Sequence, residues 1–320
     1  MIKKSLFLML ALVPTMLWAQ FAPEAGVAGT TAMHCDSSAF LAWATGCTIE
    51  RGPIQIGVTD SLVSYSVDAA ALGKADNRVV SLGDGGTAVL TFASPICNDR
   101  GPDFAVFENP FHNVPHCFLE LAFVEVSSDG ENYFRFPAIT KVPFDEQMDS
   151  FGVMDATLIH NFAGKYEVFY GTPFDLDEVE DNALLDKSKI THVRLIDVVG
   201  TIDPEYATYD AEGHIVNDPF PTPFYSSGFD LDAVGVIHDV AHFDVPENEM
   251  ETIAVYPNPV KDILKVKAEN LQSVEVYDFV GQQIMLSENG VLDLGSLAQG
   301  IYFVRVTADG KMFTKRVVKQ

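Results

Sequence analysis

In Phe229-Asp230-Leu231-Asp232 the acids alternate with apolar residues, and on a β-strand that spacing projects both carboxylates from one face. Two carboxylates side by side repel unless a cation or a basic group lies between them. Calcium resolves the conflict, because it takes about six to eight oxygens drawn from several segments. Asp103 and Glu108, which flank the run Phe104 to Phe107, are the further oxygen donors of this reading. The alternative is that these acids face water or pair with Arg78, Arg135 or Arg194, and no Asp-x-Asp-x-Asp-Gly loop is present to decide the matter. A second chemistry is paired-carboxylate glycoside hydrolysis, for which Glu108, Glu120 and Glu125 lie on or beside expected core strands.

Other reaction classes find little support. There is no Gly-x-Ser-x-Gly, and His160, His192, His214, His238 and His242 sit in unrelated contexts. Gly83-Asp84-Gly85-Gly86 lacks the lysine and the following helix of a phosphate loop. The long segment from Gly200 to Gly228 is rich in aromatic residues and proline. Its Tyr206, Tyr209, Phe224 and Tyr225 offer stacking faces for a sugar or planar ligand. Tyr170, in a second aromatic excursion from Phe162 to Phe174, is the candidate opposite wall, and covering the ends of a sandwich is the other use for these rings.

Residues 1–19 read as a secretory signal: Lys3 and Lys4, then an apolar run from Leu6 to Leu17, then Leu17-Trp18-Ala19 before a cut at Gln20. The apolar run is too short to span a bilayer comfortably, and no later segment supplies the ~20 apolar residues that spanning requires. Residues 20–246 carry 10 basic and 35 acidic side chains, a net charge of −25. Such a surface repels phosphate backbones and anionic lipid, which argues against nucleic acid and membrane-surface partners. An exported chain crosses an oxidising compartment, so Cys35, Cys47, Cys97 and Cys117 are expected to pair, with Cys35–Cys47 and Cys97–Cys117 closing the shortest loops among three connectivities. His34 beside Cys35, and His112 and His116 near Cys117, also invite zinc, although the close Cys-x-x-Cys spacing of a zinc module is missing.

The elements that must position these groups are strands. Period-two alternation marks Ile54 to Val58, Arg78 to Leu82, Thr87 to Phe92, Phe104 to Glu108, Phe118 to Ser127, Tyr133 to Phe136, Ile190 to Val198 and Phe229 to Ile237. Short helices are expected from Asp175 to Leu185 and within residues 61–73. The expected organisation is all-β: a jelly-roll sandwich over residues 20–240, a linker over 241–251, and a small seven-stranded antiparallel sandwich over 252–320. The seven strands are Ile253 to Tyr256, Ile263 to Ala268, Ser273 to Asp278, Gln283 to Leu286, Gly290 to Leu294, Gly300 to Thr307 and Met312 to Val318, with Asp309-Gly310 as a hairpin turn.

Tyr256-Pro257-Asn258-Pro259, Val276-Tyr277-Asp278 with Gly281-Gln282, Leu297-Ala298-Gln299-Gly300-Ile301-Tyr302 and Lys315-Arg316-Val317-Val318-Lys319 resemble the C-terminal sorting domain of the Bacteroidetes type IX secretion system. The resemblance implies engagement of that machinery, passage across the outer membrane, and surface attachment or release. The large domain is similar, through Leu82-Gly83-Asp84-Gly85-Gly86, Gly101 to Asn109, Ala122 to Gly130 and Gly228 to Val234, to a family of bacterial cell-surface proteins with a galactose-binding-like jelly roll. That similarity implies a setting beside outer-membrane uptake receptors, including those for cobalamin. The expectation is a non-enzymatic surface protein that binds a carbohydrate or other nutrient, with a glycan hydrolase or a structural, adhesive protein as the alternatives.

Overall fold

A computed structural model describes residues 21–243, 253–278, 282–308 and 311–320. The expected signal segment, most of the expected linker, and Gly281, Asp309 and Gly310 of the motifs above lie outside the described residues. The chain divides into two compact units, one ending at Val240 and the other beginning at Ala241. Among the described residues no helix is long and apolar enough to cross a membrane.

The strands of the first unit are β1 (Met33–His34), β2 (Ala42–Trp43), β3 (Gly46–Glu50), β4 (Val80–Ser81), β5 (Thr87–Ile96), β6 (Phe104–Glu108), β7 (Phe111–Asn113) and β8 (His116–Phe118). They continue with β9 (Ala122–Ser127), β10 (Phe134–Arg135), β11 (Ile139–Thr140), β12 (Ile159–His160), β13 (Tyr170–Phe174), β14 (Ile190–Asp197) and β15 (Asp230–Val236). Every pairing between them is antiparallel. One sheet runs β1-β13-β6-β15 with β2 and β4 both paired to β15, and the other runs β10-β9-β14-β5-β3. Reduced to its longest-range frame, the first sheet is β4-β15-β6-β13 and the second β5-β14-β9-β10. The chain thus crosses from sheet to sheet at nearly every step and its last two strands return beside its first two, which is jelly-roll connectivity.

Apolar residues from both sheets meet in one cluster that holds Val80, Phe104, Val106, Leu231 and Val234 from one side and Leu90, Val124, Val126, Val193 and Leu195 from the other. Phe104 stacks on Phe174 at 5.4 Å, and Phe136 meets Phe174 edge-on at 5.0 Å. Strands buried on both faces, such as β6, β9 and β15, read as continuous apolar runs with a few acids rather than as clean alternation.

Several expected elements differ. Ile54 to Val58 is a turn, because Gly57 takes φ +74° and the segment doubles back so that Ile54 N donates to Ser61 O. The helix expected from Asp175 shrinks to one 3-10 turn at Leu176–Glu178: Asp175 does cap it, accepting from Asp177 N, but Val179 is already extended. Residues 61–73 hold only the 3-10 turn Asp68–Ala71. Phe118 to Ser127 is not one strand. Leu119, Glu120 and Leu121 are all buried between β8 and β9, where Leu121 N donates to Asp218 Oδ2 at 2.7 Å.

The expected disulfides are also corrected, since all four cysteines are free thiols. The paired candidates sit in different surroundings. Cys35 packs with Ala105, Phe107 and Ala233, while Cys47 lies on edge strand β3 opposite Leu90 of the other sheet. Cys97 follows β5 and Cys117 sits in the β7–β8 hairpin against Leu119 and Met154. Burial holds the thiols protonated, pushing Cys47 up to about 12 and both Cys97 and Cys117 up to about 11.

The second unit forms β16 (Ala254–Tyr256), β17 (Ile263–Lys267), β18 (Leu271–Tyr277), β19 (Gln283–Ser287), β20 (Val291–Asp293), β21 (Gly300–Ala308) and β22 (Lys311–Lys319). Two antiparallel sheets, β16-β17-β20 and β19-β18-β21-β22, enclose Val260, Leu264, Val274, Val276, Val304, Val306 and Val317. β21 and β22 pair from Gly300↔Lys319 to Ala308↔Lys311. The Tyr256-Pro257-Asn258-Pro259 motif has a structural use here. Asn258 Nδ2 donates to Arg316 O at 2.9 Å and its Oδ1 accepts from Val318 N at 2.9 Å, so one side-chain amide clasps the last strand. Tyr302 is buried and donates to Ala298 O, Lys319 is buried with Nζ on Gln320 O, and Gly300 and Lys315 lie on β21 and β22.

Candidate functional site

Four phenylalanines from one hairpin and two loops form a connected row on the first unit. Phe111 of β7 stacks on Phe118 of β8 at 4.9 Å, Phe118 meets Phe151 at 6.1 Å, and Phe151 meets Phe224 at 5.8 Å. Phe118 is buried beneath the row, while Phe111, Phe151 and Phe224 are 48%, 57% and 44% exposed and the neighbouring Tyr225 is 72% exposed. Large rings left this open, in contact with one another, form an exposed apolar patch.

The loops that carry Phe151 and Phe224 are tied down by side-chain amides, one buried and one half-buried. Asn217 is 2% exposed; its Nδ2 donates to Pro143 O and Glu146 O at 2.8 Å each, and its Oδ1 accepts from Met148 N. Gln147 reaches Gly200 O and accepts from Ile202 N. Ser150 Oγ donates to Pro221 O, and Phe220 N to Met148 O. The segment from Gly200 to Gly228, expected to lack regular structure, is therefore held in one conformation by short polar links rather than by strands.

The expected aromatic walls are not brought together. Tyr170 packs edge-on against His34 at 5.0 Å on the β1 side of the first sheet. Tyr206 lies against Gly57 and donates to Glu205, and Tyr209 is exposed beside a bridge to Ile215. Phe224 and Tyr225 join the row instead, with Phe111, Phe118 and Phe151, which carried no motif in the sequence. The spacing of those residues along the chain gives no hint of their meeting.

Of the four expected calcium donors, Asp103 is parted from the others, whereas Glu108 stays within electrostatic reach of both Asp230 and Asp232. Asp103 opens β6 and Glu108 closes it, so they stand about 17 Å apart at a strand rise of ~3.3 Å per residue. Asp103 is spent on Asp99 N, Leu176 N and His238 Nδ1, at 2.8–2.9 Å. A bulge in β15 between Leu231 and Ala233 turns Asp232 toward Asp76 N and Asn77 N, while Asp230 accepts from Ser81 Oγ. Glu125, the third candidate glycosidase acid, is the one that finds its arginines: Arg135 Nε lies 2.9 Å and Arg194 Nε 2.7 Å from its oxygens.

What the structure does assemble is a buried group of acids. Glu108 bears on Asp230 and Asp218, and Glu120 on Asp230, Glu108, Asp218 and Asp197. Burial is the largest cause in each case; mutual repulsion adds to it for Glu108, Glu120, Asp197 and Asp218, which titrate well above the usual carboxylate range, and burial pushes Asp230 up to about 7 against the lowering effect of the Ser81 hydrogen bond. Asp197 clamps two turns, accepting from Gly85 N and Phe229 N, and Asp218 holds Leu121 N. Close approach is why Gly228 stands beside Asp197: a Cβ there would lie 2.7 Å from Asp197 Oδ1, at φ +70°. Glu108 Oε2 is buried with no hydrogen-bond partner among the described residues. Glu108 and Glu120 sit three and two residues from the ring-bearing Phe111 and Phe118.

Among the described residues, cavities elsewhere on the unit include the following two. One of about 540 Å³ is lined by Phe21, Met33, His160, Lys165 and Glu178, where Phe21 stacks on His160 at 4.9 Å and His160 Nε2 is 3.1 Å from Glu178 Oε2. The other, about 380 Å³, is lined by Lys141, Phe144, Glu212 and His214.

Residues 254–320 match the family described as the secretion system C-terminal sorting domain. The chain therefore carries a type IX sorting domain and is exported to the cell surface or the extracellular space, through interaction with that secretion machinery. Among curated proteins, none matches the chain. Solved structures similar to it include the BSP domain of a biofilm associated protein, at 9% identity and a TM-score of 0.17 over 73% of this chain and 48% of that one. Another is a beta-glucuronidase of Faecalibacterium prausnitzii, at 12% identity and a TM-score of 0.20 over 88% of this chain and 45% of that one. The chain spans about half the length of these structures.

Proposed function

We propose that the exported first unit is a non-enzymatic binding domain that captures a carbohydrate or similar nutrient on the row Phe111, Phe151, Phe224 and Tyr225. The observation that carries this reading is the ring-to-ring contact of exposed aromatics on loops pinned by Asn217 and Gln147. Sugar rings present C–H faces that pack on aromatic faces, and a rigid row loses little conformational entropy on binding. The net charge of −25 over residues 20–246 favours neutral ligands over polyanions. An N-terminal secretory signal over residues 1–19 completes the export route in this proposal, and an outer-membrane uptake receptor, including one for cobalamin, is the partner to which captured cargo would be passed.

A hydrolase is the second reading, favoured by Glu108, Glu120 and Asp230, whose raised titration suits a general acid. Calcium enters at the same acids, which no basic side chain among the described residues neutralises. The test is calorimetric titration of the full chain with a panel of neutral glycans and cobalamin, with and without calcium, alongside a reducing-sugar assay. Saturable binding without turnover, weakened in Phe151→Ala and Phe224→Ala, supports the proposal. Turnover lost in Glu120→Gln supports the hydrolase. Absence of any binding leaves a structural or adhesive role with calcium as a staple.

A further inference from the structure

We infer that Glu24, His112 and Cys117 form a transition-metal site of zinc type, in which His116 positions Glu24. One carboxylate oxygen of Glu24, one ring nitrogen of His112 and the Cys117 sulfur lie within 4.8 Å of one another. A single ion can reach all three. Zinc bound at about 2.3 Å to sulfur and about 2.0–2.1 Å to nitrogen, in tetrahedral geometry, sets its sulfur and nitrogen ligands about 3.6 Å apart. Cys117 Sγ and His112 Nδ1 are separated by 3.6 Å.

A plain thiol–imidazole contact has that separation too, and three further features distinguish a metal site from it. The donors line one cavity of about 220 Å³ with Ala25, Tyr166 and Glu167. Glu24 comes from the N-terminal segment, remote in sequence from the β7–β8 hairpin, and converges on the same space. His116 Nδ1 lies 3.0 Å from Glu24 Oε1, the outer-shell histidine–carboxylate contact that fixes a ligand's orientation. Lys165, the cation on the wall, commits its Nζ to Ile159 O at 2.8 Å. One thiolate, one imidazole and one carboxylate select zinc or a neighbouring transition ion over calcium or magnesium, and three protein ligands leave the fourth position for water or a ligand.

A second close group, His34, Cys35 and Asp36, does not share these features. Its members are consecutive, His34 Nδ1 is engaged with Asp36 N at 3.1 Å, and Lys74 already pairs with Asp36. The ion at Glu24, His112 and Cys117 would staple the N-terminal segment to the hairpin that carries Phe111. The site stands on its own donors and does not depend on what the aromatic row binds.

The experiment is titration of the full chain, kept reduced and metal-free, with Co2+ followed by displacement with Zn2+. One equivalent of Co2+ is expected to give a thiolate-to-cobalt charge-transfer band with tetrahedral d–d bands, bleached by Zn2+ and absent in Cys117→Ser but retained in Cys35→Ser. His116→Ala should weaken Zn2+ binding by about 10- to 100-fold, and His112→Ala by more. His112 is exposed, so this variant keeps the fold, and unchanged affinity in it overturns the site whatever Cys117→Ser does. The absence of a charge-transfer band in the unmodified chain, or a band that survives Cys117→Ser and disappears in Cys35→Ser, overturns it equally.

Discussion

Among the described residues, the C-terminal unit encloses valines, leucines and isoleucines and one buried charged side chain, Lys319, whereas the larger unit encloses Asp84, Glu108, Glu120, Asp197, Asp218 and Asp230 within reach of one another's charge. Both are antiparallel sandwiches, so the fold does not require the acids. The sorting unit needs only to fold and to show its motif, and apolar packing with Asn258 clasping the last strand suffices for that. The larger unit holds long loops at fixed positions, and its acids do much of the holding, through Asp197 to Gly85 and Phe229, Asp218 to Leu121, and Asp84 to Ile56. Buried carboxylates used as loop clamps cost stability at neutral pH, and a domain that bears this cost has loops worth positioning.

The comparison breaks first at export. Deleting residues 254–320 should abolish surface delivery and leave the first unit inside the outer membrane, read by fractionation and protease accessibility of intact cells. Equal surface exposure with and without those residues would contradict the division of labour. Within the larger unit, Phe104→Ala removes a fully buried ring that packs on Phe136 and Phe174 and should cost about 3–5 kcal/mol of unfolding free energy in urea.

The acids give the comparison its pH signature. Asp230 is pushed up to about 7 and Asp232 to about 6, both from an ordinary 3.8 and both chiefly by burial. Raised carboxyls make the folded chain hold more protons than the unfolded chain between those limits. Stability of the larger unit is therefore greatest below pH 4 as far as these groups are concerned, and it falls as pH rises from about 4 to 7. Asp230→Asn should flatten that slope and stabilise the unit by about 1–4 kcal/mol at pH 8, checked by urea unfolding at pH 5 and pH 8. The sorting unit should show no such trend. Asn258→Ala should cost that unit about 1–3 kcal/mol, through the two main-chain partners it leaves on Arg316 and Val318.

Each of the seven sorting-unit strands lies within a few residues of where alternation places it, most clearly where one face is buried and the other open, as in Ile263–Lys267. In the larger unit the long strands Thr87–Ile96, Phe104–Glu108 and Ile190–Asp197 were legible in the same way. Met33–His34, Ala42–Trp43, Ile139–Thr140 and Ile159–His160 were not, since two residues carry no period. Tyr170–Phe174 hides behind its own Gly171 and Pro173. The candidate sites were less legible still. Phe224 and Tyr225 were visible as aromatic residues, but their partners Phe111, Phe118 and Phe151 meet them only through the tertiary fold. Plain alternation puts Asp230 and Asp232 on one face, and the bulge between Leu231 and Ala233 breaks that alternation. Cys117, His112 and His116 lie close together in the sequence, whereas Glu24, which completes the set, lies in an N-terminal segment without a pattern.

We propose that the exposed phenylalanine row, and not the buried acid cluster, is where the exported unit meets its ligand. Phe151 and Phe224 are open to solvent, so Phe151→Ala with Phe224→Ala should shift unfolding free energy by about 0.5 kcal/mol or less each. Calorimetric titration of this double variant and of Glu120→Gln, in the full chain, with whichever neutral glycan or cobalamin binds the unmodified protein, is the most direct measurement. At least a tenfold loss of affinity, about 1.4 kcal/mol, in the double variant with little change in Glu120→Gln is the predicted result. Unchanged affinity in the double variant, or loss confined to Glu120→Gln, would contradict it.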